Sequence, residues 1–142
     1  MNGIVSVAGF CWGGSQTFSF ATEQPDLAAA FVFYGTGTTD PALIARIDAP
    51  VYGFYGGNDA RVTSTVPSTT DLMEGAGKFY EPVTYEGAGH GFIRTGEETN
   101  AAAANSAAHE QAWMRWLDIL RGISPPVPSA VEESSWGEVK SR

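Results

Sequence analysis

The chain has 142 residues, long enough for one domain with a buried core, and its 43% hydrophobic and 17% charged residues suit a folded globule. A formal net charge of −8, from 8 basic and 16 acidic residues, argues against nucleic acid and anionic membrane surfaces as partners. No apolar run approaches bilayer length, no basic hydrophobic leader precedes Gly3, and one cysteine allows no intrachain disulfide, so a cytoplasmic, reducing setting is expected.

Residues 3–9 read as a short apolar strand, ending in the stretch GFCWGG that holds Cys11. Trp12, Phe18, Phe20 and Ala21 then suit a helix that stops before Pro25. Residues 28–34, AAAFVFY, are apolar throughout, as in a strand covered on both faces. Asp40-Pro41 starts a short helix, with Asp as N-cap and Pro at the first helical position. Residues 49–55 form another apolar strand closed by Gly56-Gly57. Residues 66–77 read as a helix entered through Pro67, and residues 78–86 as a strand of alternating character. The run NAAAANSAAHEQAWMRWLDILR is a strong helix that Gly122 is expected to stop. Trp113 and Trp116 read as core-facing on it, and His109 as a surface or packing residue.

Strand and helix thus alternate four times. Short crossovers demand a mostly parallel four-stranded sheet in a three-layer α/β sandwich. Residues 1–123 read as this domain. Residues 124–142 form a Pro-rich, acidic tail, with Trp136 as the expected anchor on a partner subunit.

Ligands of an open parallel sheet bind beyond the carboxyl ends of its strands. Cys11 follows the first strand, Asp59 the third in GGNDARV, and His90 the fourth in GAGHGF. Their order is nucleophile, acid, base. A side chain on a tight strand-to-helix turn stands exposed above the sheet, and small neighbours avoid collisions there. Gly9, Gly13 and Gly14 are those neighbours. The helix N-terminus would favour a thiolate, and the Trp12 amide could bind a developing oxyanion. His90 would take the Cys11 proton, with Asp59 orienting the imidazole. Each residue has a plain alternative: a packed cysteine, a turn-forming aspartate, a loop histidine capping a carbonyl. The glycines next to Cys11 tip the balance toward chemistry. No metal-ligand spacing is present, and GFCWGG matches neither a phosphate loop nor a dinucleotide fingerprint, so no cofactor is expected.

G-x-C-x-G-G, then GGND, then GAGHGF-x-R resembles the dienelactone hydrolase family of α/β-hydrolases. The resemblance runs from about Ile4 to Leu120. It implies Cys11 as nucleophile, Asp59 as triad acid, His90 as triad base, and Arg94 as an arginine that helps bind a substrate carboxylate. A surface salt bridge from Arg94 to Glu97 or Glu98 is the alternative. Full members of the family are longer and carry the nucleophile near the middle, whereas here it lies at residue 11. The resemblance is to a C-terminal half, so the earlier strands, a second oxyanion N–H, a second arginine and a glutamate controlling the thiol would not come from this chain. The strand before Cys11 would then lie at a sheet edge, exposing Ile4, Val5 and Val7 and inviting a homodimer through that strand.

The leading expectation is a hydrolase acting on a small-molecule ester or lactone. The alternatives are a weak or inactive truncated remnant that dimerises and binds small molecules, and one half of a split hydrolase. Turnover of a simple ester, its dependence on Cys11 and His90, and a separate chain supplying the other half discriminate among them.

Overall fold

The computed structural model describes residues 3–123, so the expectations for residues 124–142, including the Trp136 anchor, lie outside the described residues. Four strands alternate with helices: β1 Ser6–Phe10, α1 Trp12–Glu23, β2 Ala29–Phe33, α2 Pro41–Ile44, β3 Val51–Gly56, α3 Ala60–Thr63, α4 Val66–Gly75, β4 Tyr80–Tyr85, α5 Phe92–Thr95 and α6 Ala103–Ile123. The strands form one sheet in the order β1-β2-β3-β4. Every pairing is parallel, with Ser6 opposite Ala29, Ala30 opposite Val51 and Val51 opposite Tyr80.

The apolar run of β2 is explained by its place. All five of its residues are buried, because neighbours flank it on both edges and helices cover both faces. Ala30 and Val32 point into one core, with Phe18 and Ala21 of α1 and Met73 of α4. Phe31 and Phe33 point into the other, with Phe92 of α5 and Ala108 and Ala112 of α6. The two cores make the three-layer α/β sandwich. Burial of rings of this size contributes roughly 1.5–3 kcal/mol each.

The short helix α2 begins as its sequence dictates, with the Asp40 carboxylate accepting from the Ala42 N–H at 2.9 Å and Pro41 opening the helix. Other expectations are corrected. Helix α6 continues through Gly122 to Ile123. A glycine costs a helix only about 1 kcal/mol, and Ile119, Leu120 and Ile123 hold this turn on the second core. Trp113 is 43% exposed rather than core-facing, whereas Trp116 packs against Phe10, Phe31 and Phe33. Helix α4 ends at Gly75, two residues before its expected end. Helices α3 and α5, of four residues each, were not expected.

β1 lies at one edge of the sheet. Ile4, Val5 and Phe10 are exposed there, at 40%, 57% and 38%. Val7, expected on the bare edge, is half-buried and packs against the first core.

Candidate functional site

The carboxyl ends of all four strands open on one edge of the sheet, and the site is built from the turns that leave them. Cys11 is the turn between β1 and α1. Its backbone stands at φ 57°, ψ −125°, a region that a residue with a side chain rarely occupies. Three hydrogen bonds hold it there. The Cys11 N–H donates to Phe33 O at 3.1 Å, and Cys11 O accepts from Gly14 N at 2.9 Å and Ser15 N at 3.3 Å. Strain of this kind, about 1–3 kcal/mol, persists only where the surroundings over-determine it. The consequence is an exposed cysteine at the N-terminus of a twelve-residue helix. Trp12 is the first residue of that helix, so its N–H has no intrahelical acceptor.

The glycines around Cys11 are not equivalent. A Cβ on Gly9 would lie 2.0 Å from Gly13 O and 2.4 Å from Thr17 Oγ1, so β1 can approach α1 only as glycine. A Cβ on Gly13 would meet nothing within 4 Å. Gly13, expected to be small for steric reasons, is therefore not required to be.

Asp59 leaves β3 through Gly57-Asn58. The turn is fixed by Asp59 N donating to Gly56 O at 3.0 Å and Asn58 N donating to Ala88 O at 2.9 Å. The second bond joins the Asp59 turn to the His90 turn. The Asp59 side chain is 6% exposed and its Oδ2 lies 2.6 Å from His90 Nδ1. His90, 36% exposed, is thereby left with Nε2 for other partners. The tyrosine that closes β2, Tyr34, stacks its ring edge-on against the imidazole at 5.1 Å and against Phe92 at 5.4 Å. Tyr34 itself has φ 39° and is 3% exposed. Burial first, then the negative charge of a nearby Cys11 thiolate, pushes its hydroxyl well above the ordinary tyrosine range, with Arg94 opposing. It stays a neutral O–H throughout the physiological range.

Cys11, Tyr34 and His90 line two cavities. One, of about 450 Å³, is completed by Phe10, Ile93 and Arg94. The other, of about 360 Å³, is completed by polar groups that include Ser15, Thr36 and Arg61. Cys11, Asp59, His90, Trp12 and Arg94 are thus gathered at one sheet edge. Arg94 makes no ion pair among the described residues with Glu97 or Glu98; the Glu97 carboxylate lies instead 3.9 Å from His109 Nε2. His109 is a packing residue, its Nδ1 2.7 Å from Ile93 O, and it ties α6 to α5. Tyr34 and Arg61 are among the site side chains that the sequence reading did not single out. Both carried a positional signal, Tyr34 closing a strand and Arg61 lying two residues after Asp59. Among the described residues no group of three or more His, Cys, Asp or Glu side chains could hold a metal ion, and no helix is long and apolar enough to cross a membrane.

The parallel sheet with its covering helices is shared with known proteins. The model of the family described as "Dienelactone hydrolase family" matches residues 1–124. A protein of Saccharolobus solfataricus named "Putative carboxymethylenebutenolidase" is 35% identical over 121 residues, covering 85% of this chain and 45% of its own length. The carboxymethylenebutenolidase of Pseudomonas putida is 31% identical over 130 residues, covering 89% of this chain and 52% of its own. A crystal structure of a "Putative Dienelactone Hydrolase" from Klebsiella pneumoniae superposes with a TM-score of 0.67 at 28% identity, over 80% of this chain and 50% of that one. The chain spans about half the length of the relatives it matches. The match extends over nearly the whole sequence, and on that ground the chain belongs to the dienelactone hydrolase family.

Proposed function

We propose that the chain carries the reactive centre of a hydrolase that cleaves a small-molecule carboxylic ester or lactone through Cys11, His90 and Asp59. The observation that supports this reading most is the 2.6 Å contact between His90 Nδ1 and the buried Asp59 carboxylate, at a cavity that the Cys11 thiol also lines. Asp59 holds the imidazole in the tautomer that carries its proton on Nδ1, so Nε2 can accept the thiol proton. The sulfur attacks the carbonyl carbon, and the carbonyl π electrons move onto oxygen. That oxyanion lies within reach of the Trp12 N–H at the helix terminus. On collapse the C–O bond to the leaving group breaks, and His90 protonates the departing oxygen. Water, deprotonated by His90, then cleaves the thioester and returns the thiol. Arg94 binds a carboxylate of the substrate in the larger cavity.

Hydrolysis of 4-nitrophenyl acetate tests the reading. Cys11→Ala and His90→Ala are each expected to lower kcat/KM about 10³-fold or more. Turnover that survives Cys11→Ala would sink the proposal. A folded protein with neither burst nor turnover would instead favour a small-molecule binding remnant, or a half-enzyme that needs a separate chain.

The partner proposed is a second copy of the chain, paired through β1. Its basis is the edge position of β1 and the exposed Val5, Phe10, Trp12 and Phe20 around it.

A further inference from the structure

Six lysine and arginine side chains fall among the described residues, and four of them are answered by a carboxylate. Arg46 pairs with Glu23, Lys78 with Asp48, Arg115 with Glu81 and Arg121 with Asp118. The two cations without an ion pair among the described residues are Arg61 and Arg94. Each lines a different one of the two cavities that share Cys11, Tyr34 and His90. In a chain with twice as many acidic as basic residues, unanswered guanidinium groups are not expected to collect at one place by chance. The carboxylate nearest to Arg61 in sequence, Asp59, is committed to His90. The walls of the two cavities differ as well. Phe10 and Ile93 stand beside Arg94. On the Arg61 side, the Ser15 and Thr36 hydroxyls lie 3.1 Å apart, and Ser15 Oγ also accepts from the Thr36 N–H at 2.9 Å. This second cavity is polar, preordered and cationic.

We propose that Arg61 is a second anion-binding residue of the site. The preferred substrate is then an ester or lactone bearing a carboxylate on each side of the scissile carbonyl, one for Arg94 and one for Arg61. The inference rests on the Cys11 hydrolase reading. Its physical basis is the planar guanidinium fork, which meets a carboxylate through two parallel charge-assisted hydrogen bonds. With four basic charges already neutralised locally, the remaining two are the cationic side chains without an ion pair that line the cavities at the thiol, among the described residues. The net charge of −8 repels anions at long range, so the selectivity must be short-range and made by these two groups.

Four esters separate the possibilities: phenyl acetate, monophenyl succinate, 4-acetoxybenzoate and mono(4-carboxyphenyl) succinate. They carry no carboxylate, one on the acyl side, one on the alcohol side, and one on each. The doubly anionic ester is expected to have the highest kcat/KM. Arg61→Gln is expected to lower the anionic-to-neutral ratio of kcat/KM about 10- to 100-fold for one singly anionic ester, and Arg94→Gln for the other. A ratio that Arg61→Gln moves by less than about twofold would overturn the proposal, since charge-assisted bonds lost from a site cost more than that. So would a loss on the same singly anionic ester in both variants. Cys11→Ala is run alongside on phenyl acetate. Turnover that persists in it, or none in the unaltered protein, means that the hydrolase reading has failed and not yet the role of Arg61. Calorimetric titration with glutarate then decides Arg61 alone. Binding weakened about tenfold by Arg61→Gln supports the anion site, and equal binding refutes it.

Discussion

At the scale of single residues, Gly9 and Gly13 flank Cys11 at equal distance and do different work. Gly9 gives α1 the room to start directly behind β1, with its absent Cβ only 2.0 Å from Gly13 O. Gly9→Ala must push the helix away or tilt the strand. It is expected to destabilise the fold by about 2 kcal/mol or more, within the range of overpacked sites, and to lower the reactivity of Cys11 toward iodoacetamide. Gly13 sits inside the first turn of α1 with open space where a methyl would go. Gly13→Ala replaces a poor helix former with the best one and is expected to raise stability by about 0.5–1 kcal/mol. Urea midpoints of the two variants against the unaltered protein check both statements. If Gly9→Ala unfolds no earlier than Gly13→Ala, the account of the turn is wrong. Cys11 and Tyr34 stand at positive φ on adjacent strand ends, and the bond from Cys11 N–H to Phe33 O links the two turns. The strain therefore sits where the thiol and the histidine ring are placed.

At the scale of elements, one side chain fastens α6 to the sheet. Arg115 donates from one nitrogen to Gly53 O at 2.8 Å and from the other to Glu81 O at 2.8 Å and Glu81 Oε1 at 2.9 Å. Its guanidinium lies 4.3 Å from the Phe54 ring centroid. It thereby bonds β3 and β4 at once. Arg115→Met is expected to cost about 2–3 kcal/mol, and Arg115→Lys nearly as much, because an ammonium cannot reach both strands in the fork geometry. Chemical unfolding of both variants tests this, and full rescue by lysine would contradict it. A second tie between the same strands is the buried pair of hydroxyls on Tyr55 and Tyr80, 2.7 Å apart. Burial pushes Tyr55 up to about 12 from its ordinary 10 and raises Tyr80 further. Below pH 10 both rings are neutral in the folded and unfolded chains, and their contribution is fully present. Above pH 10 only the unfolded chain ionises, so stability is expected to fall by about 1.4 kcal/mol per pH unit for each tyrosine. Urea midpoints measured between pH 8 and 11.5 would show a plateau and then a decline, and a flat profile would contradict the burial of this pair. What the sequence made legible at this scale follows from periodicity. The four strands, α1, α2 with its Asp40 cap and the long α6 each carry a full pattern or a named start signal. Helices α3 and α5 span about one turn, too short for any period to show. Trp113 was misplaced because it lies one residue beyond Ala112, off the face that Ala112 and Trp116 share. It stacks on His109 at the surface instead, with ring planes 6° apart. The catalytic candidates were legible because topology alone gathers strand ends. Arg61 and Tyr34 were not, because their relevance depends on side-chain direction.

At the scale of the whole molecule, the sheet has two edges of unlike character. β4, the far edge, carries Glu81 and Pro82, residues that discourage pairing with another chain. β1 carries no charge in residues 4–10 and leaves Val5 and Phe10 exposed. The cavity of about 410 Å³ beside it is lined by Val7, Thr17 and Phe20 among others, so the apolar surface continues from the strand onto α1. A twofold axis that sets β1 antiparallel to its copy satisfies the open backbone groups of both strands together, which is the self-complementary solution for like surfaces. Charge works against it. Each copy carries a net −8, so the repulsion between two copies is greatest at low ionic strength and is screened as salt is added. The chain of 15.0 kDa is therefore expected to sediment as a dimer at micromolar concentration and 0.15 M salt, and to dissociate more readily at low salt. Val5→Lys, which adds a charge on the open edge without removing the backbone bond from Ala28 N–H to Val5 O, is expected to weaken the dimer about tenfold or more. The salt trend has the sign opposite to that of a dimer held by ion pairs, which salt would weaken. A stable monomer across this range, or a dimer indifferent to Val5→Lys, would show that the β1 edge is not where two copies meet.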